Sequence, residues 1–137
     1  WFAIKADGTL WSWGFNFNGE LGDNSPVSHR PVPSQIGAED QWAAVSAGYT
    51  FALGLKTDGT LWGWGANEFG QVGDGTTTNR SMPVKIGNDN NWIAVNANGN
   101  HSLALKADGT LWSWGQNEIG LVGDGTTVNR AGPVNIN

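Results

Sequence analysis

Three observations predict an all-β chain made of β-propeller blades. Asp7, Asp58 and Asp108 open three copies of one sentence, DGTLWSWG, DGTLWGWG and DGTLWSWG, spaced 51 and then 50 residues apart. Within each copy, short apolar runs alternate with polar residues and are punctuated by Gly, Asp and Asn, the pattern of half-buried strands joined by turns. The 137 residues include 21 Gly and 9 Trp but only 14% charged side chains, so the chain turns often and packs with large aromatics. A four-stranded unit of about 50 residues cannot bury its own apolar face, and radial stacking on its neighbours is the remedy that a propeller supplies.

The elements follow in order within each repeat. Trp42 to Ala47 reads as a first strand and Phe51 to Lys56 as a second, with Phe51, Leu53 and Leu55 alternating as in a half-buried strand. The Asp-Gly pair that follows reads as a two-residue hairpin turn, which needs positive φ at both central residues. Thr60 to Trp64 is the third strand. A long loop of Gly, Asp, Thr and Asn then leads to a shorter fourth strand, Pro83 to Ile86. In LWSWG the two indoles lie two residues apart and share one strand face. Trp11 with Trp13, Trp62 with Trp64 and Trp112 with Trp114 are therefore expected to glue neighbouring sheets, whereas a stacking platform for sugars or bases would need exposed rings.

This phase divides the chain into an incomplete first repeat, 1–41, a full second repeat, 42–91, and a truncated third, 92–137. Trp1 aligns with Ala52 and Ser102, so the counterpart of the strand Trp42 to Ala47 is missing from the first copy. Three units cannot close a ring, since propellers use about four to eight blades. The expectation is a window from a longer array, with the other blades of a parent chain, or further copies, completing the ring.

Composition also restricts function. The formal charge of −5 and pI near 4.7, with 7 scattered Lys and Arg, argue against nucleic acid or an anionic membrane as the main partner. Without cysteine there is no disulfide framework, thiolate zinc site or cysteine nucleophile. No apolar run reaches 18 residues, so no membrane-inserting helix is expected. GDGTTTNR from Gly73 superficially looks like a calcium loop, but each copy supplies one Asp where a hard cation wants several carboxylates. The preferred reading is a turn in which Asp74 and Asp124 bind nearby amides while Arg80 and Arg130 brace the loop. His101 aligns with Phe51, which favours packing over catalysis, and His29 has no counterpart. Neither a Ser, His and Asp set nor a cofactor site is traceable.

The pattern DGTLW-x-WG-x-N-x-x-G-x-x-G-D resembles the repeat of the regulator of chromosome condensation family, in a style common among bacterial repeat proteins. The resemblance covers nearly the whole chain and implies a propeller, usually of seven four-stranded blades. The family's best-known member promotes nucleotide exchange on a small GTPase and docks on chromatin. No inserted wedge and no basic tail can be identified here to carry those roles.

Function is instead expected where the copies disagree, because loops on a rigid repeat scaffold carry binding more often than its strands. The series FNFNGE, ANEFGQ and QNEIGL, with Tyr49 against Gly99, singles out Phe15, Phe17, Tyr49, Glu68, Phe69, Glu118 and Ile119. The reading is a non-enzymatic display module for a protein or glycan partner, without cofactor or metal, in a secreted or surface protein. An exchange factor for a small GTPase and a carbohydrate-binding propeller are the alternatives.

Overall fold

A computed structural model describes residues 1–136. They form eleven strands: β1 (Phe2–Ile4), β2 (Leu10–Phe15), β3 (His29–Gln35), β4 (Trp42–Ala47), β5 (Phe51–Lys56), β6 (Leu61–Gly65), β7 (Arg80–Lys85), β8 (Trp92–Asn98), β9 (His101–Lys106), β10 (Leu111–Gly115) and β11 (Arg130–Asn135). Three antiparallel sheets result, β1-β2-β3, β4-β5-β6-β7 and β8-β9-β10-β11. The first has three strands, and no described strand holds the place that β4 and β8 take in the others. The sheets are propeller blades stacked face to face.

The Asp-Gly turn differs from the two-residue expectation. Lys56 N donates to Thr60 O at 3.1 Å and Gly59 N to Lys56 O at 3.0 Å, so three residues, Thr57, Asp58 and Gly59, make the loop. Only Gly59 takes positive φ (78°), and Asp58 stays in the ordinary region. This is a tight turn closed by a left-handed glycine, the geometry favoured for three-residue hairpins.

The strand bounds also move. The fourth strand of the second sheet begins at Arg80, ahead of the expected Pro83, because Gly65 pairs with Arg80 and a register shift follows before Gly63 meets Val84. Pro83 is tolerated there since β7 is an outer edge strand that needs no further ladder donor.

Burial of β5 departs from the half-buried pattern. All six of its residues are buried, because the first sheet covers one face and the third sheet the other. Phe51, Leu53 and Leu55 join Leu61, Ile86, Trp92, Ala104 and Trp114 in one cluster. Ala52 joins Leu10, Ile36, Trp42 and Trp64 in the second. The equivalent strand β9 has one covered face and alternates accordingly, with Ser102, Ala104 and Lys106 buried.

Each junction is fixed by an indole. Trp64 and Trp114 are fully buried, and their Nε1 groups donate to the backbone carbonyls of Glu20 (3.1 Å) and Gln71 (2.9 Å) in the preceding blade. Trp42 packs edge-on against both Trp62 and Trp64, at 6.2 and 5.8 Å between ring centroids. An indole burying about 150–250 Å² contributes roughly 4–6 kcal/mol of gross transfer energy, before the entropy of ordering it. The pairs Trp62–Trp64 and Trp112–Trp114 are thus junction packing; Trp11 and Trp13 are half-buried and join neither cluster, and none of the six rings has the full exposure a stacking platform requires.

The carbonyl can reach the indole only because the loop that supplies it comes very close. A Cβ on Gly73 would fall against Nε1 of Trp114, and Gly73 has φ +90°. Gly73→Ala is therefore expected to destabilise by about 3 kcal/mol or more in urea unfolding, where backbone strain and overpacking act together. Gly75→Ala, at φ +83° with open space around it, should cost only about 1–2 kcal/mol from strain alone.

Candidate functional site

Antiparallel alternation sorts the connections into two ends. The β4–β5 and β8–β9 turns lie at the same end as the long loops after β2, β6 and β10. The Asp-Gly turns and the links between sheets lie at the opposite end. Phe15, Phe17, Tyr49, Glu68, Phe69, Glu118 and Ile119 therefore all fall at the loop end.

The loops there are held from inside by one buried asparagine each. Asn67 Nδ2 donates to the carbonyls of Thr76 (3.0 Å) and Thr78 (3.1 Å), and its Oδ1 accepts from Val72 N at 2.9 Å. Asn117 repeats this with Thr126, Val128 and Val122. Asn16 does the same in the first copy with Ser25, Val27 and Leu21, despite its divergent sequence. Both neighbouring loops also contain the expected brace: Asp74 Oδ1 accepts from Thr76 N at 3.0 Å while Arg80 pairs with Oδ2, and Asp124 with Arg130 matches it. Arg30 and Asp23 form the first-copy pair. Burial raises the Asp74 pKa, yet bonds from Thr76 and Arg80 outweigh it and the net shift is downward. Asp124 is held down to about 2, chiefly by the Thr126 hydroxyl and then by Arg130. Among the described residues no group of three His, Cys, Asp or Glu could hold a metal ion.

On this frame the variable residues separate. Phe15, Phe17, Tyr49 and Ile119 are 74%, 73%, 81% and 81% exposed, and Glu68 and Glu118 are exposed as well. Phe69 is only half-buried in its loop, whose neighbour Gly70 abuts Ala131 of the next blade. Phe15 and Phe17 stack at 5.9 Å and share with Tyr49 a cleft of about 460 Å³ between the first two sheets. Glu68, Phe69, Glu118 and Ile119 do not line it. Glu20 does, and sequence reasoning passed over it because Gln71 and Leu121 occupy its place in the other copies. His101 is half-buried, and the exposed His29 has its Nδ1 3.2 Å from the hydroxyl of its chain neighbour Ser28.

The opposite end explains the repeated DGTLW. Asp58 Oδ1 accepts from Thr60 N (3.0 Å) and Thr60 Oγ1 (2.6 Å), and Thr60 Oγ1 in turn accepts from Trp62 Nε1 at 2.8 Å. The same relay runs Asp7–Thr9–Trp11 and Asp108–Thr110–Trp112. The Thr hydroxyl and then the Thr amide hold all three Asp carboxyls below the ordinary aspartate range. Lys56 Nζ sits 3.8 Å from the Trp62 ring and 5.1 Å from Trp42, and pairs with Glu39 at 2.7 Å. Lys106 repeats this between Trp112 (4.1 Å) and Trp92 (4.7 Å), with Asp89 at 2.7 Å. The motif's acid, hydroxyl and indole are consumed in building the blade.

Comparison with known proteins agrees with this geometry. The family model for the regulator of chromosome condensation (RCC1) repeat matches residues 7–55 and 58–105, and a second model of that repeat matches 42–71 and 92–120. Among curated relatives, the chain is 33% identical over 75 residues to the ultraviolet-B receptor UVR8 of Arabidopsis thaliana, covering 53% of this chain and 17% of the receptor. It is 35% identical over 78 residues to an RCC2 homolog of Danio rerio, covering 56% and 16%. Among solved structures, Prp20p of Saccharomyces cerevisiae superposes with a TM-score of 0.89 at 27% identity, over 99% of this chain and 36% of that one. Human WBSCR16, at 22% identity, TM-score 0.86, and 99% and 37% coverage, shares the fold. The chain thus spans about a sixth of the length of these two curated relatives and about a third of these two solved structures.

Two expectations follow from the lowered carboxyls. Their folded values lie below the unfolded aspartate value of about 3.9, so the stabilisation is complete above that pH and is lost as pH falls toward the folded values, about 2 for Asp124. Acid unfolding followed by circular dichroism should show stability falling over that window, and Asp124→Asn should flatten the fall. Thr60→Val leaves the Trp62 indole N–H without its acceptor and should cost about 1–3 kcal/mol in urea unfolding.

Proposed function

We propose that this chain, which belongs to the regulator of chromosome condensation (RCC1) repeat family, contributes blades to a larger propeller and acts without chemistry, as a rigid scaffold that presents its loop end to a protein partner. The observation that carries this reading is the contrast within each loop. Asn16, Asn67 and Asn117 fix the loop from inside, while residues that differ between copies project at the same end. Such an arrangement varies the ligand surface without altering the frame.

Relatives support a protein partner in preference to a glycan. Prp20p has binding properties to Gsp1p and histones, and a second yeast structure holds Kap60 bound to yeast RCC1 (Prp20). Stacking of sugars on the W-x-W rings needs them exposed, whereas Trp64 and Trp114 are fully buried and Trp11, Trp13, Trp62 and Trp112 half-buried. A secreted or surface setting is proposed on the Gly, Asn, Thr and Trp bias of the chain.

These 137 residues contain no cysteine, so single substitutions give unique labelling points once any cysteine elsewhere in the polypeptide is replaced by serine. Tyr49→Cys and Glu68→Cys at the loop end, and Ala107→Cys at the opposite end, can each carry a photo-crosslinker in the polypeptide that holds these blades. Protein adducts are expected from the loop-end sites and not from Ala107→Cys. Equal crosslinking from both ends, or none from the loop end, would contradict the proposal.

A further inference from the structure

The two junctions carry the same cleft beside their outer strands. One lies between the first and second sheets, about 270 Å³ in volume, and the other between the second and third, about 350 Å³. Trp42, Trp62, Ile36 and Pro83 wall the first, and Trp92, Trp112, Ile86 and Pro133 stand in the same places in the second. The paired indoles meet edge-on at 6.2 Å in one and 6.0 Å in the other. Neither cleft draws on β1 or on any residue beyond β11, so each is formed by a packed junction alone.

One wall position differs. Met82 of β7 lines the first cleft, and Gly132 of β11 holds that place in the second, the larger of the two. Gly132 has an ordinary φ, and a Cβ added to it would lie 3.7 Å from the carbonyl oxygen of Gly73, which lines the same cleft from the preceding blade. A side chain at this position would therefore start across the junction, toward the opposite wall, without a clash.

What the second cleft lacks is thus shown by the first: a flexible apolar side chain beside two indoles and a proline. A thioether chain suits such a place, because it is polarizable, adapts to irregular gaps and packs favourably on aromatic rings. The charged side chains in the lining are Asp74 and Asp89, with no lysine or arginine among them. Each acid meets one cation, Arg80 or Lys106, yet the Asp89 side chain stays 57% exposed and a carboxylate has acceptor sites for a second donor.

We propose that the cleft between the second and third sheets receives a methionine side chain of a partner polypeptide, seated where Met82 stands at the first junction, with a neighbouring lysine or arginine of that partner on Asp89. Tyr49, Phe69 and Ile119 do not line this cleft, so the site is additional to the loop-end face and is tested separately from it.

The test uses the polypeptide that holds these blades, labelled with nitrogen-15 at tryptophan, and serine-glycine peptides with lysine-methionine-lysine, lysine-serine-lysine or glutamate-methionine-glutamate at the centre. The indole Nε1–H resonances of Trp92 and Trp112 should shift on titration with the first peptide, while those of Trp42 and Trp62, where Met82 already lines the cleft, stay in place. Serine in place of methionine should weaken binding about tenfold or more, and glutamate flanks should weaken it as well. Gly132→Met supplies the missing side chain and should abolish the shifts, while an unchanged Trp114 Nε1–H resonance reports an intact junction. Met82→Gly should make Trp42 and Trp62 respond to the methionine peptide. Silence of Trp92 and Trp112, equal binding of either control peptide, or shifts that persist in folded Gly132→Met would each overturn the proposal, as would a first junction that stays silent in Met82→Gly.

Discussion

The bond from a buried indole to a loop carbonyl of the preceding blade is the constraint on which this structure turns. Trp64 and Trp114 each bring the largest side chain in the repertoire into a junction and carry one polar atom that must be satisfied there. Satisfying it requires the loop after β2 or β6 to present a carbonyl at contact distance, and that in turn requires glycine at Gly22 and Gly73. The junction therefore dictates the course of the loops, and the loops form the face that is free to vary. Packing and presentation are two consequences of one contact.

The opposite end obeys a parallel economy. Asp58 does not enter a left-handed turn; it gathers the Thr60 hydroxyl and amide so that the hydroxyl faces the Trp62 indole. Lys56 then lies over the face of that ring and reaches Glu39. A carboxylate, a hydroxyl, an indole and an ammonium are linked in series within a few residues, and the series recurs in the third sheet with Lys106 and Asp89. Groups that look like an active site when read along the chain are each occupied by a neighbour.

Much of the architecture was legible in the sequence, because the repeat fixes the phase and the alternation fixes the faces. The three described strands of the first sheet, the Asp–Arg brace and the junction packing of Trp62–Trp64 and Trp112–Trp114 all follow from that phase. Other features depended on neighbours that periodicity does not report. The alternation of Phe51, Leu53 and Leu55 signals one buried face, yet a second sheet covers the other. The Asp-Gly pair signals a turn, but its length is set by Asp58 bonding to Thr60. In the candidate site, disagreement between copies located Phe15, Phe17 and Tyr49, and their common cleft became visible only once two blades were packed. Glu20 left no sequence signal, since a polar residue among Gln71 and Leu121 looks like drift.

Hydrogen exchange of the tryptophan indole protons, read by nitrogen-15 NMR, tests the central claim most directly. If the junction bonds hold the blades together, Nε1–H of Trp64 and Trp114 should exchange only through global unfolding, far more slowly than that of half-buried Trp11. Exchange of Trp64 and Trp114 as fast as Trp11 would contradict the account.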